Sequence, residues 1–357
     1  MRCDGTGGNL APRWHVEWGR VRVATYKDLR ARTGLSLATI SKYYNGGNLL
    51  AENRAAIEQA ALELGFRVNG FARSLRTRKS RTVGVLLPKL DNGFHLTVIA
   101  GVEAALREHA ISVLVCASRG SPGEAVDFLL GKMVDGIIAV PTDRDGDALR
   151  AVAARGVPLV LVDRLLDGLP SDAVVLDNQL AGQQAVEHLA AAGHTRIAAL
   201  VGDQDSWTMR ERRGGFLAAM TRAGLSARPE DVVPGPLTVA SGRSAMGRLL
   251  DAARPPTAVI CFNYELTVGA LIAINDRDIA VPEKLSFVGF DSAELAQVSR
   301  PRLSMITQPT PHIAAQAASL IHARLSADPS PRMHSVVTLA GELVLGASVG
   351  PPASPSP

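Results

Sequence analysis

The chain has 357 residues, 46% of them hydrophobic, and a net charge of +4 that is unevenly spread. Residues 1–80 hold 14 Lys and Arg against 6 Asp and Glu, while the remainder holds 24 against 28. This length builds two or three domains with real cores, and no apolar run reaches the ~18 residues a membrane span needs, so no membrane partner is expected. Three widely spaced cysteines (Cys3, Cys116, Cys261) without a C-x-x-C argue against a disulfide framework and a zinc site. They point to a reducing, cytoplasmic setting.

Residues 1–22 lack the continuous apolar centre of a signal peptide. They read as a disordered extension, or as the product of an upstream start codon for a protein beginning near Val21. A head follows at 23–68, whose basic balance suggests that it meets a polyanion. The spacing predicts three short helices. The first, about Thr25 to Arg32, ends at Thr33-Gly34-Leu35, where glycine supplies a left-handed stop. Ser36 is a good N-cap for the second, about Leu37 to Tyr44, which stops at Asn45-Gly46-Gly47. The third, about Glu52 to Leu64, puts Ile57, Ala60, Ala61 and Leu64 on one face, with Leu29, Leu35 and Ile40 closing the core. Helix, glycine turn, helix is the arrangement by which a helix-turn-helix offers its second helix to the major groove.

The run from Thr25-Tyr-Lys-Asp-Leu-Arg-Ala-Arg-Thr-Gly-Leu-Ser-Leu-Ala-Thr-Ile-Ser-Lys-Tyr-Tyr to Asn45 resembles the head of the lactose/galactose-repressor (LacI/GalR) family. The likeness continues through Asn53-Arg54, Glu63-Leu-Gly-Phe66 and Asn69-Gly-Phe-Ala-Arg-Ser-Leu75, and then to about Val344. It implies that Leu37, Ala38 and Lys42 read bases, with Ser36, Thr39, Ser41 and Asn45 near phosphates. A lysine can donate to guanine O6 and N7, and small apolar groups can touch a thymine methyl. Where the family usually has Arg, this chain has Lys42, which lacks the planar fork and should discriminate less.

Residues 69–80 form a hinge helix or linker with Arg73, Arg76, Arg78 and Lys79 around Phe71, Ala72 and Leu75. Two helical turns are unstable alone. The resemblance implies that the segment folds on the operator, with Asn69, Arg73 and Arg76 on the DNA and Leu75 wedged into the minor groove. Such wedging costs a few kcal/mol, offset by contacts that bent DNA permits.

From Thr82, β-branched runs alternate with helical stretches. Strands are predicted at 82–88, 112–117, 136–141, 158–163, 172–177, 196–202, 258–262 and 285–290, in parallel sheets with right-handed crossovers. The set divides near Asp177. The fold class is therefore α/β behind an all-α head, and the resemblance implies a two-lobed, periplasmic-binding-protein-like body at 81–350. Lobe 1 would take about 81–176 and 309–335, and lobe 2 about 177–308 and 336–350. Residues 351–357 read as a disordered tail.

Ligands of such sheets bind beyond the carboxyl ends of the strands, here between the lobes. Asp163, Asn263 and Asp291 end predicted strands, Arg212 lies on the helix after 196–202, and Gln308 precedes Pro309 at a predicted crossing. Carboxylates, amides and a guanidinium suit sugar hydroxyls, which both donate and accept. All five match family effector positions; His95 and Thr208 match more loosely, and Trp207 could stack on a sugar face. The family's Asn-Asp pair is Asn263-Tyr264 here, and Gly93 stands where a proline is usual. His188 and His194 read as structural.

With no G-x-G-x-x-G after a strand, no Walker A sequence, no G-x-S-x-G elbow and no H-E-x-x-H, no enzyme, cofactor or metal is expected. The resemblance implies a cytoplasmic, nucleoid-associated homodimeric repressor on a near-palindromic double-stranded operator, controlled by a small molecule, a sugar or sugar derivative. Two alternatives stay open: a corepressed regulator responding to purines or nucleosides, and a free-standing solute-binding protein.

Overall fold

In the computed structural model, which describes residues 24–44, 46–66, 79–326 and 333–353, Thr25 opens the first helix through a capping box with Asp28. This helix, α1 (Tyr26–Thr33), stops at Gly34 with φ +73°, the left-handed geometry glycine accepts freely. Ser36 Oγ then accepts from the Thr39 N–H at 3.0 Å and starts α2 (Leu37–Tyr44). The third helix, α3 (Ala51–Glu63), ends one residue earlier than expected, so Leu64 is exposed rather than on the buried face. Leu29, Ile40, Ile57 and Ala60 form the buried centre, and the rings of Tyr26, Tyr44 and Phe66 stack beside it at 5.2–5.6 Å. Tyr43 donates to Glu58, and Arg32 pairs with Glu63, tying α1 and α2 to α3. The chain divides into two compact units between Thr77 and Arg78. The expected extension, the hinge segment 69–78 and Asn45 lie outside the described residues.

The second unit contains two six-stranded sheets among the described residues. Sheet 1 is built from β1 (Thr82–Leu87), β2 (Ser112–Ala117), β3 (Gly136–Ala139), β4 (Leu159–Val162), β5 (Asp172–Leu176) and β11 (Val336–Leu339), in the order β11-β5-β4-β3-β1-β2. Every pairing in it is parallel. Sheet 2 takes β6 (Ile197–Gly202), β7 (Val232–Pro234), β8 (Ala258–Cys261), β9 (Ser286–Phe290), β10 (Ser304–Thr307) and β12 (Glu342–Val344), in the order β12-β10-β9-β8-β6-β7. Here β12 runs antiparallel to β10, a departure from the all-parallel expectation. The last strand follows a two-residue turn from β11 and has no helix to carry it round.

Helices cover both faces of each sheet. On sheet 1, α4 (Gly93–Glu108) and α12 (Thr310–Ser326) pack on one face, α5 (Pro122–Gly131) and α6 (Gly146–Ala154) on the other. On sheet 2, α7 (Asn178–Ala191) and α8 (Trp207–Arg222) oppose α9 (Val239–Leu250) and α10 (Tyr264–Asn275). A short helix, α11 (Ala293–Val298), follows β9.

The chain crosses between lobes three times: at Asp177, at Gln308-Pro309 and at Ala340-Gly341. The third crossing lies later than expected, because Val336–Leu339 pairs with β5 and belongs to lobe 1. The crossings run side by side, with Asp177 N–H donating to Leu339 O at 2.8 Å. At the tail, Pro352 lies against Gly193, so 351–353 are not the free end expected; residues 354–357 fall outside the described set.

Candidate operator-binding helix and effector cleft

On the head, α2 has one buried side, held by Ile40, and one open side. Leu37, Ala38 and Lys42 are exposed there, with Ser36 exposed at its N-terminus and Thr39 and Ser41 half-buried. Ser36 Oγ lies 2.8 Å from Thr39 Oγ1. The stem of Lys42 runs over Gly47, where a Cβ would collide with it. Thr33 Oγ1 donates to Leu29 O at 2.8 Å and finishes α1. Asn69, Arg73, Leu75 and Arg76 lie outside the described residues, as does Asn45.

Between the lobes lies a cavity of about 740 Å³. His95, Asp163, Thr208, Arg212, Asn263, Asp291 and Gln308 all line it. Trp207 does not: it is half-buried at the first position of α8, one residue and thus ~100° round the helix from Thr208. A sugar-stacking platform at Trp207 is therefore corrected.

Asp163 and Asp291 occupy matching places in the two lobes. Each follows a central strand, β4 or β9, in the left-handed region, with φ +73° and +74°. Each donates its N–H to the neighbouring strand, Asp163 to Val174 O and Asp291 to Ile306 O. Aspartate tolerates this conformation better than most residues, and departures of this kind gather at ligand sites. Arg164 pairs with Asp163 at 3.2 Å. Gln308 Nε2 donates to Asp291 Oδ1 at 2.7 Å, leaving Gln308 Oε1 buried without a partner among the described residues. Burial pushes the Asp291 carboxyl up to about 6, against the opposing pull of Arg212 and the Gln308 bond.

Arg212 is the most enclosed cation of the cleft. Its Nε donates to Asn178 Oδ1 at 2.8 Å and its Nη1 to Phe262 O at 2.6 Å, while the guanidinium lies 3.8 Å over the Phe290 ring. Gly182 and Gly215 make this possible, since a Cβ on either would collide with the facing helix backbone and push α7 and α8 apart. Burial lowers the Arg212 pKa, opposed by Asp291 and Asp163.

His95 is buried behind its helix cap, with Nδ1 unpartnered among the described residues. Burial lowers its pKa, only partly opposed by Asp163. Thr208 shares a hydroxyl contact with Ser206 at 2.9 Å. Asn263 lines the cavity with its side chain partly engaged: Oδ1 caps α10 through Leu266 N–H, and one Nδ2 hydrogen goes to Glu265 Oε2 at 2.6 Å. Lys89, Asn92, Thr142, Arg164 and Glu265 also line the cavity and were not anticipated. Asn92 carried the one readable signal, an Asn-Gly pair at a helix start.

His188 and His194 are built into lobe 2. His194 bridges Thr257 Oγ1 and Gly350 O, both at 2.9 Å, and His188 Nε2 meets Ser304 Oγ at 3.3 Å. Contrary to the expectation that the chain holds no G-x-S-x-G, Gly346-Ala-Ser-Val-Gly350 has that spacing, yet Ser348 is buried, donating to Phe287 O and accepting from Ser304 N–H. No helix follows it among the described residues, and it is a structural pin. Among the described residues no cluster of three or more His, Cys, Asp or Glu could hold a metal, and no helix is long and apolar enough to cross a membrane.

A helix-turn-helix head followed by two parallel-sheet lobes around a polar cleft defines a one-component, ligand-responsive transcription regulator. Residues 186–349 match the model of the periplasmic binding protein-like domain. The chain is 30% identical over 302 residues to the HTH-type transcriptional repressor CytR of Escherichia coli (strain K12), covering 84% of this chain and 89% of CytR. It is 27% identical over 331 residues to the HTH-type transcriptional repressor PurR of Actinobacillus pleuropneumoniae serotype 3 (strain JL03), covering 92% and 98%. Among solved structures it is similar to the lac repressor dimer bound to operator and the anti-inducer ONPF, with TM-score 0.82, 25% identity and coverage of 92% and 100%. It is also similar to the transcriptional regulator CelR–cellobiose complex, with TM-score 0.70, 27% identity and coverage of 91% and 99%. The chain belongs to the lactose/galactose-repressor (LacI/GalR) family. It is a DNA-binding transcriptional repressor under the control of a small effector.

Proposed function

We propose that this repressor acts as a homodimer in the cytoplasm, without catalysis of its own, and leaves its operator when a neutral, hydroxyl-rich ligand of the sugar class enters the cleft. The observation that carries the reading is the matched pair Asp163 and Asp291, one per lobe, facing one cavity with Arg212 beside them. Two carboxylates accept hydroxyl protons from opposite sides, and the buried cation and the free acceptor on Gln308 complete a set that both donates and accepts. The CelR structure, a relative, holds cellobiose.

On the operator, Leu37, Ala38 and Lys42 read base edges, while Ser36, Thr39, Ser41 and Asn45 position the helix on phosphates. Asn69, Arg73 and Arg76 hold the minor groove that Leu75 wedges. Two heads related by a two-fold axis read two half-sites, which makes the operator near-palindromic. The test is a thermal-shift panel of mono- and disaccharides, nucleosides and purine bases, followed by operator titration with each hit. A sugar at a hundred times its Kd adds about 2.7 kcal/mol of stability and weakens operator binding. A purine that tightens operator binding, with no sugar effect, overturns the reading.

A further inference from the structure

The cleft lining holds a side-chain contact that joins the two lobes directly. Glu265 stands at the second position of α10 and divides its carboxylate between the lobes. Oε2 accepts from Asn263 Nδ2 of its own lobe at 2.6 Å, and Oε1 accepts from Asn92 Nδ2 of lobe 1 at 3.4 Å, with Lys89 Nζ at 4.0 Å. Away from the three chain crossings, these are the side-chain hydrogen bond and ion pair that join the two lobes among the described residues.

Both amides are aimed by the same device. Asn92 is the N-cap of α4 and Asn263 the N-cap of α10; each commits Oδ1 to a helix N–H, of His95 and of Leu266. A cap needs the oxygen, which settles the amide orientation and leaves each Nδ2 free to point outward. One cap from each lobe thus presents an N–H to one carboxylate, which also sits at the positive end of α10. The own-lobe bond is short and the cross-cleft bonds are long, so the carboxylate is anchored in lobe 2 and lobe 1 is the side that lets go.

We propose that Glu265 is a clasp that holds the lobes together in the ligand-free protein and so sets the open–closed balance on which an effector acts. Glu265 is a positioning residue: it acts through lobe spacing. The inference rests on the effector-cleft reading only for its regulatory consequence, because the clasp is made entirely of the chain's own side chains.

The test is a distance measured without ligand on the full chain. Asp143→Cys in lobe 1 and Asp205→Cys in lobe 2, both exposed, carry spin labels for double electron–electron resonance. Cys3 and Cys116 are replaced by serine, and labelled protein is diluted into unlabelled. Wild type gives a short distance. Asn92→Asp keeps the helix cap, since aspartate caps as well as asparagine, but sets a carboxylate against Glu265 and shifts the population to longer distance. Glu265→Ala, which leaves the Asn92 cap untouched, shifts it the same way. Adding Glu265→Gln to Asn92→Asp restores a donor opposite the new carboxylate and returns the short distance. Equal distances in all four proteins, or a double variant as open as Asn92→Asp, overturn the clasp. Operator release by a sugar is read separately, so a failed clasp and a failed effector reading give different results.

Discussion

Replacing Asp291 with asparagine separates what the cleft costs the fold from what it gives the ligand. Burial holds this carboxyl at about 6, against 3.8 for an ordinary aspartate. Between those two values the folded chain keeps a proton that the unfolded chain has lost, so stability falls as pH rises through that window. Above about pH 6 both states are ionised and the full penalty remains, about 3 kcal/mol for a displacement of that size. Asparagine has no charge to bury, still accepts from Gln308 at the same oxygen, and tolerates φ +74°. Asp291→Asn should therefore be ~2–3 kcal/mol more stable than wild type at pH 7.5 and no more stable near pH 4. Urea unfolding followed by tryptophan fluorescence at both pH values reads the difference. A variant that is not stabilised at pH 7.5, or whose advantage is the same at pH 4, refutes the account. The same substitution exchanges an acceptor for a donor and should abolish the effector response. In wild type, effector affinity should fall as pH drops below about 6, where the carboxyl takes up its proton.

Lys42→Ala should cost ~1–3 kcal/mol on the best operator and much less on random DNA; equal losses in a gel-shift titration would mean that Lys42 meets only phosphate. Leu75→Ala, in the segment outside the described residues, should reduce operator bending while dimerisation and effector binding stay intact, and unchanged bending by circular-permutation assay removes the wedge. Arg212→Lys keeps the charge but not the fork that reaches Asn178 and Phe262 together. With hydrogen bonds from a charged group contributing ~1.5–3 kcal/mol each, the variant should unfold ~2–4 kcal/mol more easily and lose effector response; a stability change under about 0.5 kcal/mol would deny Arg212 its structural part.

The elements that sequence makes legible are those whose local chemistry and burial agree. The three head helices carry their own stops and caps, Gly34 and Ser36 above all, and the central strands β1, β3, β4, β8 and β9 are almost wholly apolar because both of their faces are covered. The strands missed, β7, β10, β11 and β12, have only three or four residues each, and β11 and β12 are partly exposed edges with mixed polarity. Nothing local says which sheet Val336–Leu339 joins; pairing with β5, some 160 residues earlier in sequence, decides it. In the cleft, residues at strand ends were found because parallel sheets expose those ends. Asn263 shows the limit of that rule, since a strand-end amide serves equally well as a helix cap. Glu265 was invisible for the related reason that its meaning depends on Asn92, which only the meeting of two lobes brings near.

On the proposed effector site, the placing of Gln308 gives a route by which a ligand at Asp291 would be felt by the whole body. This residue lies on the second crossing: its side chain donates to Asp291 in lobe 2, and its carbonyl accepts from Thr310 N–H at the start of α12, which packs on lobe 1. In that reading a hydroxyl claiming Asp291 Oδ1 would compete with the Gln308 amide, one hydrogen bond from the crossing. The other two crossings lie beside it, with Gly341 so close to Thr307 O that a Cβ would press on that carbonyl at 3.1 Å. Three strands of chain in contact cannot bend independently, and a change at one is shared as a rotation between lobes rather than absorbed locally. A ligand shifts that rotation only by its preference for one lobe spacing over the other. A coupling of ~1–3 kcal/mol between cleft and operator is the usual range for such linkage, and reciprocity requires that the operator weaken the ligand by the same factor as the ligand weakens the operator.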